Sequence, residues 1–210
     1  MIIDLSTLSP SRVYFTMIQT LIPRPIAWVL SDNGVADNGA EESFNLAPFS
    51  YFNGVCSDPP LIMLSIGFKP DGSLKDTRKN IFERKEFVVH IAHRELAPKV
   101  TASSEAFAHG DSEIQRLGLE TVPFGEHRLP RLKDCRIAYY CERYQMLDIG
   151  NEPQAMILGL VKSVYIDDSV ATLDEKNRLT VDAKKIDPLS RLGGEDYGLF
   201  GETITIKRPK

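Results

Sequence analysis

No Gly-x-Gly-x-x-Gly follows an apolar run in this chain, and no Walker-type phosphate loop, His-Glu-x-x-His pair or Gly-x-Ser-x-Gly elbow occurs anywhere in its 210 residues. These absences leave a dinucleotide-fold dehydrogenase, an NTPase, a zincin and an α/β-hydrolase without the residues their chemistries need. Positive charge is not in excess either: 25 Lys and Arg against 29 Asp and Glu give a net charge of −4. No basic run or basic amphipathic helix is present, so neither nucleic acid nor a membrane surface is an expected partner. The longest apolar run, Ala155 to Val161, is far too short to cross a bilayer, and the start, Met1-Ile2-Ile3-Asp4-Leu5-Ser6, has no basic and apolar leader pattern. The expected location is the cytoplasm. Cysteine is scarce and odd in number, and Cys56, Cys135 and Cys141 lack metal-type spacing, so all three read as reduced thiols. No metal site is expected, because His93, His109 and His127 are scattered among polar residues.

What is present fits an ordinary globular protein, with 42% hydrophobic and 26% charged residues. Without an internal repeat or a linker, residues 1–210 read as one domain. Strand-length apolar runs recur at Ile26–Leu30, Leu61–Ile66, Phe87–Ala92, Ile137–Tyr144 and Ala155–Ile166, each bounded by Gly, Pro, Asn or Asp. Several are continuous rather than alternating. Such strands need cover on both faces, which favours a closed barrel with helices outside it. Helical character is confined to three segments: Asp76–Arg84, Glu95–Phe107, and a short stretch opened by the capping-box pattern Ser112-Glu113-Ile114-Gln115 and closed by Gly118. Asp167–Lys185 reads as a polar hairpin excursion or part of a subunit contact. The predicted class is mainly β with peripheral helices.

The most informative stretch runs from Arg24-Pro25-Ile26-Ala27-Trp28-Val29 to Asn45-Leu46-Ala47-Pro48-Phe49-Ser50. Asn45 offers an amide, Ala47 lets a flat ring approach the backbone of Leu46 and its neighbours, Pro48 stiffens the turn and Ser50 supplies a hydroxyl. Downstream, Lys75-Asp76-Thr77 puts a cation and a hydroxyl at a helix start, where unpaired amides and the helix dipole favour an anion such as phosphate. Arg24 is a second cation able to chelate two oxygens. Together these read as a nucleotide-like cofactor site. His90, within Phe87-Val88-Val89-His90-Ile91, reads as a satisfied structural histidine, and Trp28 as core.

These pieces, with Asn53 to Pro60, Asn80 after Lys75-Asp76-Thr77, Phe87-Val88-Val89, and the tail Pro188-Leu189-Ser190-Arg191-Leu192-Gly193-Gly194 with Tyr197, occur in the order seen in one family. Over residues 24 to 197 the chain resembles the flavin reductase-like proteins, which include the flavoredoxins and fold as an FMN-binding split β-barrel. Two departures are His90, where that family commonly has Asn, and a long connection from Gly34 to Phe44. The resemblance implies FMN held by Asn45, Leu46, Ala47, Pro48, Ser50, Lys75, Asp76, Thr77, Asn80 and Arg24, with Arg191 and Tyr197 closing over the cofactor or the reductant. It implies an oxidoreductase in which NADH or NADPH passes hydride to the flavin, with electrons leaving to oxygen, free flavin or a monooxygenase partner. A flavoredoxin-like electron carrier and a non-catalytic flavin-binding module are the alternatives. No protein acid or base is demanded, so no catalytic residue is named. A homodimer is expected, with the flavin near the subunit interface.

Overall fold

The computed structural model describes residues 1–34, 43–69, 71–105, 107–108, 111–151, 154–207 and 209. His109 and most of the long Gly34–Phe44 connection therefore lie outside the described residues. Seven strands form one antiparallel sheet: β1 (Ala27–Asp32), β2 (Phe44–Phe49), β3 (Phe52–Ser57), β4 (Pro60–Ile66), β5 (Glu86–Ile91), β6 (Ile137–Ile149) and β7 (Gln154–Ile166). Their spatial order is β2-β1-β5-β6-β7-β4-β3, so the two end strands are neighbours along the chain. The amide of Ser65 on β4 donates to the carbonyl of Tyr51, between β2 and β3, at 2.9 Å. That bond extends the β3–β4 ladder by one residue beyond the Phe52–Leu64 pair.

Both faces of the central strands are covered, while β3 and the far half of β6 are largely exposed. All seven strands supply residues to an interior cluster that includes Ala27, Val29, Phe49, Phe52, Leu64, Phe87, Val89, Cys141 and Ile157. The alternate residues Trp28, Leu30, Leu46, Val88, Ala138 and Tyr140 face outward, under Leu96, Val100, Ile114, Phe124, Leu129 and Leu132 of the segment between β5 and β6. This double burial is why the strand sequences read as continuous apolar runs. Gly159 on β7 marks a close approach: a Cβ there would meet the ring of Phe87 at 2.5 Å.

Four helices matter for the site: α1 (Pro10–Thr20), α2 (Asp76–Arg84), α3 (Ala97–Ala102) and α4 (Glu113–Arg116). α2 has the bounds read from the sequence, and its Ile81 enters the interior cluster. The helix expected over Glu95–Phe107 is shorter, a 3₁₀ turn at Arg94–Leu96 followed by α3. α1 was not anticipated. It carries no fully buried residue, although Val13, Met17 and Ile18 are half-buried and Pro10 stands in the first turn as helix starts favour. The hairpin read at Asp167–Lys185 is present as Ala171–Leu173 paired with Leu179–Val181. All three cysteines are free thiols.

Candidate functional site

The outer edge of β2 meets the start of α2 and the end of α3 in a cleft of about 380 Å³, lined by Asn45, Ala47, Pro48 and Phe49 on one side and Lys69, Lys75, Asp76 and Thr77 on another. Ser103, Ser104, Glu105, Phe107 and Glu113 complete the wall. A second chamber of about 330 Å³ adjoins it, sharing Pro48, Phe49, Phe68 and Lys75 and reaching Ser50, Tyr51, Ser65 and Gln154. Each has the size of a small-ligand site.

The geometry of this cleft follows from local sequence. Pro48 can sit on β2 because β2 is an edge strand, where a missing N–H costs no ladder bond. Lys75, the residue that precedes α2, is extended and provides no side-chain cap, so the first-turn amides are left to other acceptors. Asn45 Nδ2 donates to Thr77 Oγ1 at 2.8 Å, which leaves the Thr77 hydroxyl proton for another acceptor. Behind them, Asn80 Nδ2 donates to Ser31 Oγ at 3.2 Å and to Asn33 Oδ1 at 2.9 Å. Asn80 is fully buried. It fixes α2 to β1 and lies behind the cleft wall.

Lys75 is the cation of the site. Its Nζ lies 5.7 Å from the centre of the Phe49 ring, and it makes no hydrogen bond or salt bridge among the described residues. Burial first, then the charge of Lys69, pushes its pKa below the ordinary lysine value. Asp76 accepts a salt bridge from Lys69 at 2.8 Å, so this carboxylate is occupied with a neighbouring cation at the helix N-terminus.

Other expected site residues stand elsewhere. Arg24 is buried, with Nε donating to Ser50 Oγ at 3.2 Å, Nη1 to the carbonyls of Ile18 and Leu21 at 2.6 Å each, and Nη2 to the carbonyl of Leu192 at 2.9 Å. It ties α1, Ser50 and the tail together and keeps little donor capacity for a phosphate. Arg191 closes its own turn, donating to the carbonyls of Gly194, Glu195 and Asp196, and stacks on Tyr197 at 4.7 Å. Tyr197 exchanges a 2.8 Å hydrogen bond with Thr101 on α3, one turn before the cleft residues Ser103 and Ser104. Neither Arg191 nor Tyr197 lines the cleft.

Sequence reasoning missed Glu113. Ser112-Glu113-Ile114-Gln115 was read as a capping box, but Ser112 makes no side-chain cap; its Oγ donates to the carbonyl of Phe44 at 2.7 Å. Glu113 Oε2 accepts the amide of Leu46 at 2.8 Å. The pair occupies the free edge of β2 as a neighbouring strand would, and burial raises the Glu113 pKa above the ordinary carboxylate value. Gly118 does close this helix at φ +57°, as expected. Trp28 and His90 are buried as read: Trp28 Nε1 donates to Ser103 Oγ at 2.8 Å, while His90 Nε2 accepts the Leu132 amide at 2.9 Å and Nδ1 meets the Trp28 carbonyl at 3.1 Å. Among the described residues, no group of three or more His, Cys, Asp and Glu could hold a metal ion.

Residues 19–180 match the model of the flavin reductase like domain. The chain belongs to that family. It is 35% identical over 209 residues to an uncharacterized protein of Halalkalibacterium halodurans, covering 97% of this chain and 94% of the relative. The uncharacterized protein YwrF of Bacillus subtilis is 32% identical, with 96% of each chain covered. Among solved structures, nitrilotriacetate monooxygenase component B from Bacillus cereus superposes with a TM-score of 0.85 at 29% identity, covering 98% of both chains. The 2-nitrobenzoate 2-nitroreductase NbaA of Pseudomonas fluorescens gives 0.83 at 30% identity, covering 100% of this chain and 96% of that one. A split barrel domain protein of Shewanella frigidimarina, at 16% identity and a TM-score of 0.80 over 98% and 96% of the two chains, bears on the fold alone. The fold is the split barrel.

Proposed function

We propose that this protein is an FMN-binding oxidoreductase, with the phosphate of FMN at the N-terminus of α2 and the flavin ring along Pro48–Tyr51. The observation that carries the reading is Lys75: a half-buried cation beside Lys69, next to the Thr77 hydroxyl and the first-turn amides of α2. A dianionic phosphate satisfies all of these at once. The edge of β2 and the aromatic rings of Phe49 and Tyr51 form the flat, partly apolar slot that an isoalloxazine needs. Bound there, FMN supplies the redox chemistry that the chain's own side chains lack. The chain's residues bind, orient and shield: Asn45 sets the Thr77 hydroxyl, Glu113 holds Leu46, and Trp28 fixes Ser103.

NADH or NADPH is the proposed reductant, which makes the protein a flavin reductase, and a monooxygenase partner is a proposed consumer of the reduced flavin. One observation favours the electron-carrier reading instead: Arg191 and Tyr197, the expected nicotinamide contacts, are engaged with their own turn and with Thr101. Anaerobic stopped-flow mixing separates the two. Bleaching of the flavin band by NADH or NADPH within seconds supports the reductase; bleaching by reduced ferredoxin alone supports the carrier.

The cofactor assignment is tested by titrating FMN and riboflavin into wild type and Lys75→Ala. A charge-assisted bond is worth roughly 1.5–3 kcal/mol, so the variant should bind FMN on the order of tenfold to a hundredfold more weakly and riboflavin unchanged. Equal loss of both ligands refutes the phosphate site.

A further inference from the structure

A groove of about 440 Å³ runs between α2 and the far half of β6, and it shares no lining residue with either chamber of the cofactor cleft. Phe68, which lines both chambers, and the Arg78 guanidinium 4.9 Å from its ring centre stand between the two sites. One wall of the groove is a row on the helix and its lead-in: Leu74, Arg78 and Phe82 are four positions apart and so stack along one face. The other wall is β6. There Arg143 pairs with Gly159 and Gln145 with Leu158, so Tyr144 has no partner on β7. A bulge of this kind breaks the alternation of a strand and re-aims a side chain, and here the consecutive residues Arg143 and Tyr144 both line the groove.

The rings of this groove are wet and its cation lacks an anion. Phe82 and Tyr144 are 62% and 56% exposed, a large aromatic area to leave in water. Between them stands Arg143, whose main-chain amide donates to the Lys85 carbonyl at 2.8 Å and whose Nη1 donates to the Phe82 carbonyl at 2.8 Å. Its guanidinium lies 5.4 Å from the centre of the Phe82 ring. The edge formed by Nε and Nη2 makes no hydrogen bond or ion pair among the described residues. Neighbouring carboxylates are taken: Glu83 by Arg84 at 3.0 Å, Glu142 by Lys162 at 3.7 Å and Asp148 by Arg78 at 2.8 Å. A guanidinium fixed on one edge and open on the other is preorganised for a carboxylate, which it grips with two parallel bonds. The lining bears two guanidiniums and one carboxylate, so a single negative charge balances it, while Leu74, Phe82, Tyr144 and Met146 offer a flat ring its apolar contacts.

We propose that this groove binds an aromatic monocarboxylate, with the carboxylate on Nε and Nη2 of Arg143 and the ring against Phe82 and Tyr144. The site stands apart from the FMN reading, because none of its residues belongs to the cofactor cleft.

The test is calorimetric titration of the full chain with benzoate, and with acetate and benzamide as probes that keep only the charge or only the ring. Benzoate should saturate one site per chain and bind on the order of tenfold more tightly than either control. Arg143→Gln should weaken benzoate on the order of tenfold to a hundredfold, and Arg143→Lys, which keeps the charge without the fork, should recover part of the loss. Tyr144→Ala, at an exposed position, should weaken benzoate without disturbing the fold, and Lys75→Ala should leave it unchanged. Absence of saturable benzoate binding, or binding that Arg143→Gln leaves untouched, overturns the proposal. Loss of benzoate in Lys75→Ala would place the acid in the cofactor cleft and overturn it as well. Light scattering in which Tyr144→Ala dissolves a dimer would make the groove a subunit contact, with the same consequence.

Discussion

His90 makes the stability of the protein depend on pH in a calculable way. The ring is fully buried between the Trp28 carbonyl and the Leu132 amide. Because Leu132 donates to Nε2, the proton sits on Nδ1, and the residue is neutral in the fold. Burial, the largest cause, and the nearby Arg131 push its pKa down from 6.5 to about 4. The unfolded chain therefore binds a proton between pH 6.5 and 4 that the folded chain refuses, and stability falls as pH drops through that window. A shift from 6.5 to about 4 corresponds to about 3 kcal/mol, with a slope of at most about 1.4 kcal/mol per pH unit. The perturbation is His90→Asn, which keeps a donor and an acceptor but cannot titrate. Urea unfolding of both proteins at pH 7.5, 6, 5 and 4.5 gives the two curves; carboxylates and His93 contribute equally to each and cancel in the difference. The variant should be the less stable at pH 7.5, and its curve should be shallower by up to one proton below pH 6.5. Parallel curves refute the assignment of a neutral, buried His90.

Gly159→Ala should overpack the barrel interior, since its Cβ would lie 2.5 Å from the Phe87 ring; a cost of about 1–3 kcal/mol lowers the melting temperature by several degrees in calorimetry, and Phe87→Leu in the same chain should recover part of it. Glu113→Gln keeps the acceptor for the Leu46 amide and removes a buried charge. The raised Glu113 pKa means the folded chain holds a proton that the unfolded chain has lost above pH 4.5, so wild-type stability falls as pH rises above 4.5 and the variant should lack that fall in urea unfolding at pH 5 to 8. A homodimer is expected over the apolar groove of about 580 Å³ formed by Leu21, Ile22, Met63, Ile149 and Met156, which adjoins the flavin chamber at Ser50, Tyr51 and Ser65. Light scattering that gives a 23.5 kDa particle with FMN bound would count against it.

Strand positions were legible because burial on both faces leaves a strong signal: Val29, Leu30, Val88 and Val89 are all buried, two toward the interior and two beneath the β5–β6 insertion. α2 was legible from Ile81 and Phe82 on one side after a capping Asp or Thr; Ile81 is inward, but Phe82 is exposed and the N-cap is Lys75, with no side-chain cap bond. Residue types at the site were legible too, and the fold does bring Asn45, Ala47, Pro48, Lys75 and Thr77 to one cleft. What residue type does not encode is how many donors remain. Arg24 and Arg191 looked like cations awaiting an anion, yet backbone carbonyls from Ile18, Leu21, Leu192 and Gly194 to Asp196 engage them. Those acceptors come from the C-terminal end of α1 and from the tail turn, whose placement only the folded chain fixes. Glu113 was invisible for the converse reason: its partner is a main-chain amide 67 positions away, and no side-chain pattern records that.

The cleft is a product of the insertion between β5 and β6 more than of the barrel. Among the bonds that join that insertion to the sheet are Trp28 to Ser103, His90 to Leu132, Ser112 to the Phe44 carbonyl, and Glu113 to the Leu46 amide. The last two satisfy main-chain groups on the exposed edge of β2, which would otherwise invite another strand. The same closure presents Asn45 and Ala47 to the cleft and sets Ser103 and Ser104 opposite them. Protection of a sheet edge and construction of a binding wall are thus one structural event. Substitutions at Ser112 and Glu113 should therefore loosen ligand binding without contacting the phosphate, and the barrel strands alone, without this insertion, carry only half of the site.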